Sequence, residues 1–137
     1  MFYEGARFHQ LRFNEYGDRL GQMATLVRAG LQIPTARYDE AKRFIADSRE
    51  RMNEMYKATP VILVPSATGP APLGLKSTGD SRMNSPWTAL GTPAISVPMP
   101  VSDSLPLGLQ LTAAPGEDAR VIRSAVRLYQ ILYKSKQ

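Results

Sequence analysis

The N-terminal part of the chain, residues 2 to about 58, has the spacing of apolar residues that amphipathic helices show. Over residues 19–29 the apolar side chains recur every three or four positions, and Gly30 suits a C-terminal stop. After the next proline, Thr35 suits the N-cap of a long helix that runs to about residue 57. The expected buried stripe of this long helix consists of Tyr38, Ala41, Phe44, Ile45, Ser48, Met52 and Met55.

Three short apolar runs in the middle of the chain predict β-strands. Residues 61–64 follow Pro60 and are continuously apolar, which is typical of a central strand covered on both faces. Residues 94–97 and 107–111 are the other two runs. The connection between them is too short for a helical crossover, so we expect these two strands to form an antiparallel pair.

Two helices are predicted next to these strands. Residues 85–90 suit a short helix with Pro86 in its first turn. Glu117 and Asp118 open a final helix, because acidic side chains are favourable at the positive end of a helix. The buried stripe expected on this final helix consists of Val121, Ile122, Ala125, Leu128, Tyr129 and Leu132.

These elements predict an α/β fold with N-terminal helices, about three core strands in a mixed sheet and a C-terminal helix. At 137 residues the chain has the length of a single domain, or it is a fragment of a larger one. Its expected parts are a helical segment over 2–58, strands and a pocket loop over 59–112, and the C-terminal helix over 116–134. The loop over 66–84 shows no periodicity, and a loop of this length is usually functional.

Composition narrows the class of protein. With 43% hydrophobic and 21% charged residues, the chain is expected to be globular and not disordered. It has no cysteine, which excludes disulfides and thiolate metal sites. The first residues lack the pattern of a signal peptide, and no apolar run has the length of a membrane span. We therefore expect a cytoplasmic protein that has no membrane partner.

The net charge of +5 does not indicate a nucleic-acid surface. The arginines are spread over the whole chain, and several have an acidic residue at helical spacing, such as Asp39 with Arg43 and Asp47 with Arg51. A nucleic-acid surface requires clustered basic residues with interleaved aromatics or a known motif, and the sequence has neither. Nucleic acid is therefore not an expected partner.

The loop that follows residues 61–64 invites comparison with a phosphate-binding loop. That motif requires a glycine directly before the lysine and a helix after it, whereas Leu75 separates Gly74 from Lys76. Pro70 and Pro72 also remove backbone N–H donors from the would-be cradle. The sequence thus argues against a nucleotide site.

Other catalytic and metal motifs are missing from the sequence. His9 is the single histidine, and no Gly-x-Ser-x-Gly elbow is present for a Ser-His-Asp triad. One histidine without cysteine does not suit zinc, so we predict neither a metal nor another cofactor. Trp87 has two open interpretations, a core anchor or a wall of a pocket.

Four motifs, in order, resemble the amidase signature family. Trp87-Thr-Ala-Leu-Gly-Thr-Pro-Ala-Ile-Ser-Val-Pro98 is similar to its Asn-x-x-Gly-x-Pro-Ala-x-Ser-x-Pro region, and residues 105–111 resemble the Pro-x-Gly-x-Gln strand that follows it. Residues 61–65 resemble its Asp-x-x-x-x-Pro strand, with Pro60 in place of the aspartate, and residues 71–74 resemble an Ala-Pro-x-Gly turn. The resemblance is to the C-terminal portion of the family.

The resemblance implies a hydrolase of C–N bonds that attacks amide carbonyls with a serine. In the family this serine is activated through a second serine, held in a cis peptide, and a lysine, all within a Gly/Ser-rich core in the other half of the chain. The present sequence has no matching core. Its loop serines lack paired glycines, and Lys57 and Lys76 lack the matching context. No catalytic residue is therefore assigned.

The resemblance does imply residues that line a substrate pocket. The expected substrate-binding residues are Ser66, Ala67, Trp87, Thr88 and Gly91. Thr88 stands where the family often has asparagine, so the polar contact of that amide does not carry over. Turn geometry and close packing explain Gly91 equally well.

We therefore expect the C-terminal part of an amidase-family hydrolase, inactive alone because the Ser-cisSer-Lys triad is missing. Its expected partners are the N-terminal catalytic half, a small amide substrate when complete, and a second copy of the chain, since exposed strand edges and apolar faces favour self-association. One alternative is an autonomous, non-catalytic binding or structural module that self-associates. Another is a small enzyme that uses Lys76 and a loop serine with a shifted pKa.

Overall fold

The computed structural model describes residues 1–134, and these contain five α-helices, two short 3₁₀ helices and three β-strands. The chain divides into two compact units, with the boundary after Phe44. The 3₁₀ helices are Gly17–Leu20 and Ser81–Met83. The other elements are α1 Phe2–Tyr16, α2 Gln22–Leu31, α3 Thr35–Ala58, β1 Ile62–Pro65, α4 Ser85–Leu90, β2 Ala94–Pro98, β3 Gly108–Thr112 and α5 Asp118–Lys134.

The first unit is helical, and its helices α1 and α2 pack closely at Gly30. The predicted stop at Gly30 is wrong, because α2 continues through this residue to Leu31. Gly30 is buried, and a Cβ atom there would overlap the carbonyl oxygen of Phe2 and the Cβ of Ala6. Glycine is therefore required at this position for the close approach of two helices.

Helix α3 runs from Thr35 to Ala58 and ends one residue beyond the predicted end. The predicted N-cap, Thr35, is the first residue of the helix, and its hydroxyl pairs with that of Tyr3 at 3.0 Å. The expected buried stripe of α3 is at most half-buried. Phe44 is 70% exposed and Met55 is 50% exposed, whereas Tyr56, outside that stripe, is the buried residue of this helix. Helical spacing identifies an apolar face, but the burial of that face depends on tertiary packing, which the spacing does not contain.

The three strands form one sheet in the order β1-β3-β2, and both pairings are antiparallel. The α/β class, the three strands and the β2–β3 pair are confirmed. The expected mixed sheet and the central position of residues 61–64 are not found among the described strands. Strand β3 pairs with β2 along one edge and with β1 along the other, so β1 is an outer strand of this sheet. Its residue Leu63 is 51% exposed.

The core of the second unit lies between α5 and one face of the sheet. Strand β2 contributes Val97, and β3 with the residue after it contributes Leu111 and Ala113. Helix α5 contributes Val121 and Ala125. Leu128 and Leu132 pack against them, as predicted.

The other two residues of the expected α5 stripe lie on a different side of the helix. Ile122 and Tyr129 are 54% and 48% exposed and lie with Val126 on a second face. A helix that covers a small sheet buries one stripe, and this second stripe lies beside it. None of the helices within residues 1–134 is long and apolar enough to cross a membrane.

Candidate functional site

A cleft of about 960 Å³ lies in the second unit, at the end of the sheet where β1 and β2 finish and β3 begins. The antiparallel register brings these three strand ends together, since Pro65 pairs with Leu109 and Pro98 pairs with Gly108. The loop that leaves β1 forms one wall. The residues around the cleft are 65–72, 78–80, 83, 84, 96, 98, 99 and 106–109.

Two serine hydroxyl groups lie together in this cleft. The Oγ atoms of Ser66 and Ser96 are 2.6 Å apart and share a hydrogen bond. The Ser66 N–H also donates to the Gly108 carbonyl at 2.9 Å, which continues the β1–β3 ladder into the loop. A Cβ atom at Gly108 would lie 2.5 Å from the Ser96 Oγ and 2.8 Å from the Ser66 Oγ. Glycine thus leaves room for the hydroxyl pair.

The face of β3 that carries Gly108 also carries two polar side chains, and these form hydrogen bonds with the segments around the cleft. Gln110 is buried, and its Nε2 donates to the carbonyl oxygen of Met83 at 3.3 Å. Thr112 is fully buried, and its Oγ1 lies 3.2 Å from the Tyr56 hydroxyl and 3.1 Å from the Thr92 Oγ1. Two side chains at alternate positions of β3 therefore bind three other segments. These are α3 through Tyr56, the 3₁₀ helix before α4 through Met83, and the turn after α4 through Thr92.

Sequence analysis placed Gln110 in the Pro-x-Gly-x-Gln motif without a role for its side chain, and it did not identify Thr112. A further signal for both is the alternation in β3, where polar residues at two alternate positions follow a glycine. Alternation gives the face of the strand, but the partners Tyr56, Met83 and Thr92 are distant in sequence.

The predicted substrate-binding residues separate into two groups. Ser66 and Ala67 line the cleft. Trp87 and Thr88 lie on α4 and Gly91 caps it, and none of the three is among the residues around the cleft. Gly91 has a φ of 72°, and its N–H donates to the Trp87 carbonyl at 2.9 Å, so this glycine ends the helix as turn geometry requires.

Helix α4 is held by an arginine from α3. The Nη2 and Nε atoms of Arg49 donate to the Ala89 carbonyl at 2.8 Å and 3.2 Å. Such a charge-assisted pair of hydrogen bonds neutralises part of the negative end of the helix. The residues just before α4, Met83 and Asn84, are the ones that reach the cleft.

The loop serines pair with each other or with the backbone. Ser85 donates to Ser81, Ser77 accepts the Gly79 N–H, and Ser66 pairs with Ser96. In none of these pairs is the partner a lysine, a histidine or a carboxylate, the groups that would activate a serine. The part of the chain that the structure describes holds no group of three or more His, Cys, Asp or Glu side chains placed to bind a metal ion.

Comparisons with known proteins agree on one family. The chain is 30% identical to a protein of Mycobacterium tuberculosis described as an amidase, AmiA2, over 83% of this chain. It is 31% identical, over 69% of this chain, to a subunit of the glutamyl-tRNA(Gln) amidotransferase of Tropheryma whipplei. The chain spans 28% and 20% of the lengths of these two relatives. No family model matches the chain.

Solved structures give the same result for the fold. A crystal structure of an amidase superposes with a TM-score of 0.84 at 26% identity, and the match covers 96% of this chain and 33% of that chain. A bacterial aryl acylamidase of the amidase signature family superposes with a TM-score of 0.70 at 18% identity over 96% of this chain and 32% of its own length. The chain belongs to the amidase signature family, and it spans no more than about a third of the length of these relatives.

Proposed function

We propose that this segment forms one wall of the substrate site of an amidase-family hydrolase that acts on amide bonds, and that it supplies no catalytic group. The observation that carries the proposal is the cleft at the end of the sheet, which has apolar walls and a hydroxyl pair. A concave site with few polar groups that converge is the usual form of a small-molecule site. The reacting serine, its activating groups and the oxyanion donors would come from the rest of the enzyme.

The pairing of the loop serines supports a role in binding without catalysis. A nucleophilic serine needs a base or a lowered pKa, and the Ser66 hydroxyl has another hydroxyl as its partner. Lys76, the lysine within the loop over 66–84, is not among the residues around the cleft. The cleft would therefore contact the acyl or the leaving group of an amide, while the attack takes place on residues outside it.

We propose further that the exposed face of α5 binds the remaining part of the enzyme. Ile122, Val126 and Tyr129 follow one another at spacings of four and three and are 54%, 52% and 48% exposed. An apolar stripe of this kind marks an interaction surface. The chain spans only 28% of the mycobacterial relative and 33% of the amidase of known structure, so a large part of their chain is available to cover such a stripe.

Labelling with a serine-reactive fluorophosphonate tests the proposal. The purified chain should remain unlabelled and should release no product from a panel of aryl amides, because its hydroxyl groups lack an activating base. A catalytically active amidase treated in parallel provides the positive control. Stoichiometric labelling at one serine between 66 and 85 would contradict the proposal and would favour a small enzyme that uses this loop.

A further inference from the structure

The residues around the cleft differ from those of a site for charged ligands. Asp80 is the one charged residue among those the structure describes there. Its carboxylate is engaged, because it accepts the Arg82 N–H at 2.8 Å and lies 2.7 Å from the Arg82 Nε. An isolated charge that leaves water for such a site loses hydration without gaining an ionic partner.

The walls of the cleft are mainly apolar. Proline and aliphatic side chains come from the loop after β1 and from both strands of the β2–β3 hairpin. The largest of these residues are Pro65, Pro70, Pro72, Pro98, Met99, Pro106, Leu107 and Leu109. Proline rings are rigid and lose little conformational entropy on binding, so they give a preformed apolar surface.

The hydroxyl pair gives this apolar surface one polar point. A serine hydroxyl has one proton to donate and two lone pairs to accept with. The bond between Ser66 and Ser96 uses one proton, so the pair keeps one O–H to donate and lone pairs to accept with. This is the complement of an amide, which offers a carbonyl oxygen and an N–H.

We propose that the cleft selects uncharged amides with an apolar or aromatic substituent, and that Ser66 and Ser96 are the residues that recognise the amide group. The inference rests on the proposed function and adds the class of substrate to it. Amides that carry a free carboxylate or ammonium group next to the amide are excluded by the lack of an unpaired counter-charge in the cleft.

Three probes of nearly the same shape test this inference by NMR titration of the full chain. Benzamide is neutral, benzoate is an anion and benzamidine is a cation at neutral pH. We expect benzamide to shift the backbone amide signals of Ser66, Ser96 and Gly108, and to bind at least about tenfold more tightly than the two ions, which is the ratio for a difference of about 1.4 kcal/mol.

Variants separate the hydroxyl pair from the apolar walls. Ser66→Ala and Ser96→Ala should each weaken benzamide about three- to tenfold, the effect of one lost hydrogen bond, and leave the binding of toluene unchanged. Ser85→Ala is the matched control, because Ser85 also pairs with a serine, Ser81, but neither lines the cleft. The control should bind benzamide as the unchanged chain does.

The outcomes distinguish this inference from the proposed function. Equal or tighter binding of benzamidine would show that Asp80 governs the cleft and would overturn the inference, while a substrate cleft would remain. Unchanged benzamide affinity in both serine variants would overturn the role of the hydroxyl pair alone. If none of the probes shifts these signals in a well-dispersed spectrum, the inference and the proposed binding wall are both wrong.

Discussion

Thr112 is fully buried, and its hydroxyl lies between those of Tyr56 and Thr92. Thr112→Val keeps the shape of the side chain but leaves both neighbouring hydroxyl groups without this partner. We expect a loss of about 1–3 kcal/mol in the free energy of unfolding, measured by urea denaturation. Tyr56→Phe alone should cost about 1 kcal/mol, because Thr112 keeps its bond to Thr92.

The double variant Thr112→Val/Tyr56→Phe is the control for this pair. In the double variant the valine leaves no tyrosine hydroxyl unpaired, because that hydroxyl is absent. The double variant should therefore lose less free energy of unfolding than the two single variants lose together. A Thr112→Val variant as stable as the unchanged chain would contradict the account of β3 as the strand that fixes the cleft.

A second polar contact, in the first unit, makes stability depend on pH. The Tyr38 hydroxyl donates to the Glu4 carboxylate at 2.8 Å. This hydrogen bond, together with the charged N-terminus, lowers the pKa of Glu4, and it also raises the pKa of Tyr38. The bond needs a charged Glu4 and a neutral Tyr38. The stability it contributes is therefore present at neutral pH and is lost at both ends of the pH scale.

The sign of each change follows from these shifts. The contribution of Glu4 is complete above its usual pKa of 4.5 and is lost as pH falls through its lower folded value. The contribution of Tyr38 is complete below its usual pKa of 10.0 and is lost as pH rises through its raised folded value. Thermal unfolding followed by circular dichroism should show both losses. Tyr38→Phe should remove the loss at high pH and reduce the loss at low pH, because the charged N-terminus still lowers the pKa of Glu4. An unchanged pH profile in Tyr38→Phe would contradict this account.

At the same scale, sequence reasoning found part of the cleft and missed part. Ser66 and Ala67 were found through the family resemblance, which places a pocket wall in the loop after the strand that ends at Pro65. The roles of Gln110 and Thr112 were missed because they depend on partners that only the folded sheet brings near. Whether any of the five predicted residues contacts substrate stays a prediction.

Among the elements, the contact of α1 with α2 depends on Gly30. Gly30→Ala would place a methyl group on the rigid backbone of Phe2, so we expect a loss of about 1–3 kcal/mol despite the better helix propensity of alanine. Gly5→Ala in α1 is the matched control. Its Cβ would lie an ordinary 3.5 Å from Leu26 Cδ2, so this change should stabilise by about 0.5–1 kcal/mol. If Gly30→Ala and Gly5→Ala changed the free energy of unfolding equally in urea denaturation, the close approach of α1 and α2 at Gly30 would be contradicted.

Helices were predicted well because their evidence is local. Thr35 marks the start of α3, and Pro86 lies in the first turn of α4, where it was expected. The sequence predicted a central position for β1, and this was wrong, because β1 is an outer strand. A continuously apolar run fits a central strand, but it fits equally well an outer strand that other elements cover. Strand order depends on long-range pairing that periodicity does not encode.

For the whole molecule, the stripe on α5 predicts self-association when the chain is studied alone. Apolar side chains at this density favour contact with any matching surface, including that of a second copy. Val126→Lys should reduce the fraction of dimer in sedimentation velocity experiments over a range of concentrations. Arg123→Lys, a change that keeps the charge on the same helix, should leave it unchanged. A monomer at every concentration would contradict this prediction.

The most direct test of the central claim is a chimera. The segment of the mycobacterial relative AmiA2 that matches this chain would be replaced by these 137 residues, and the product treated with a fluorophosphonate and with aryl amides. We predict hydrolysis of amides and a label on a single serine, located by mass spectrometry outside the transplanted residues. A label within those residues would contradict the claim, as would a folded chimera that takes no label.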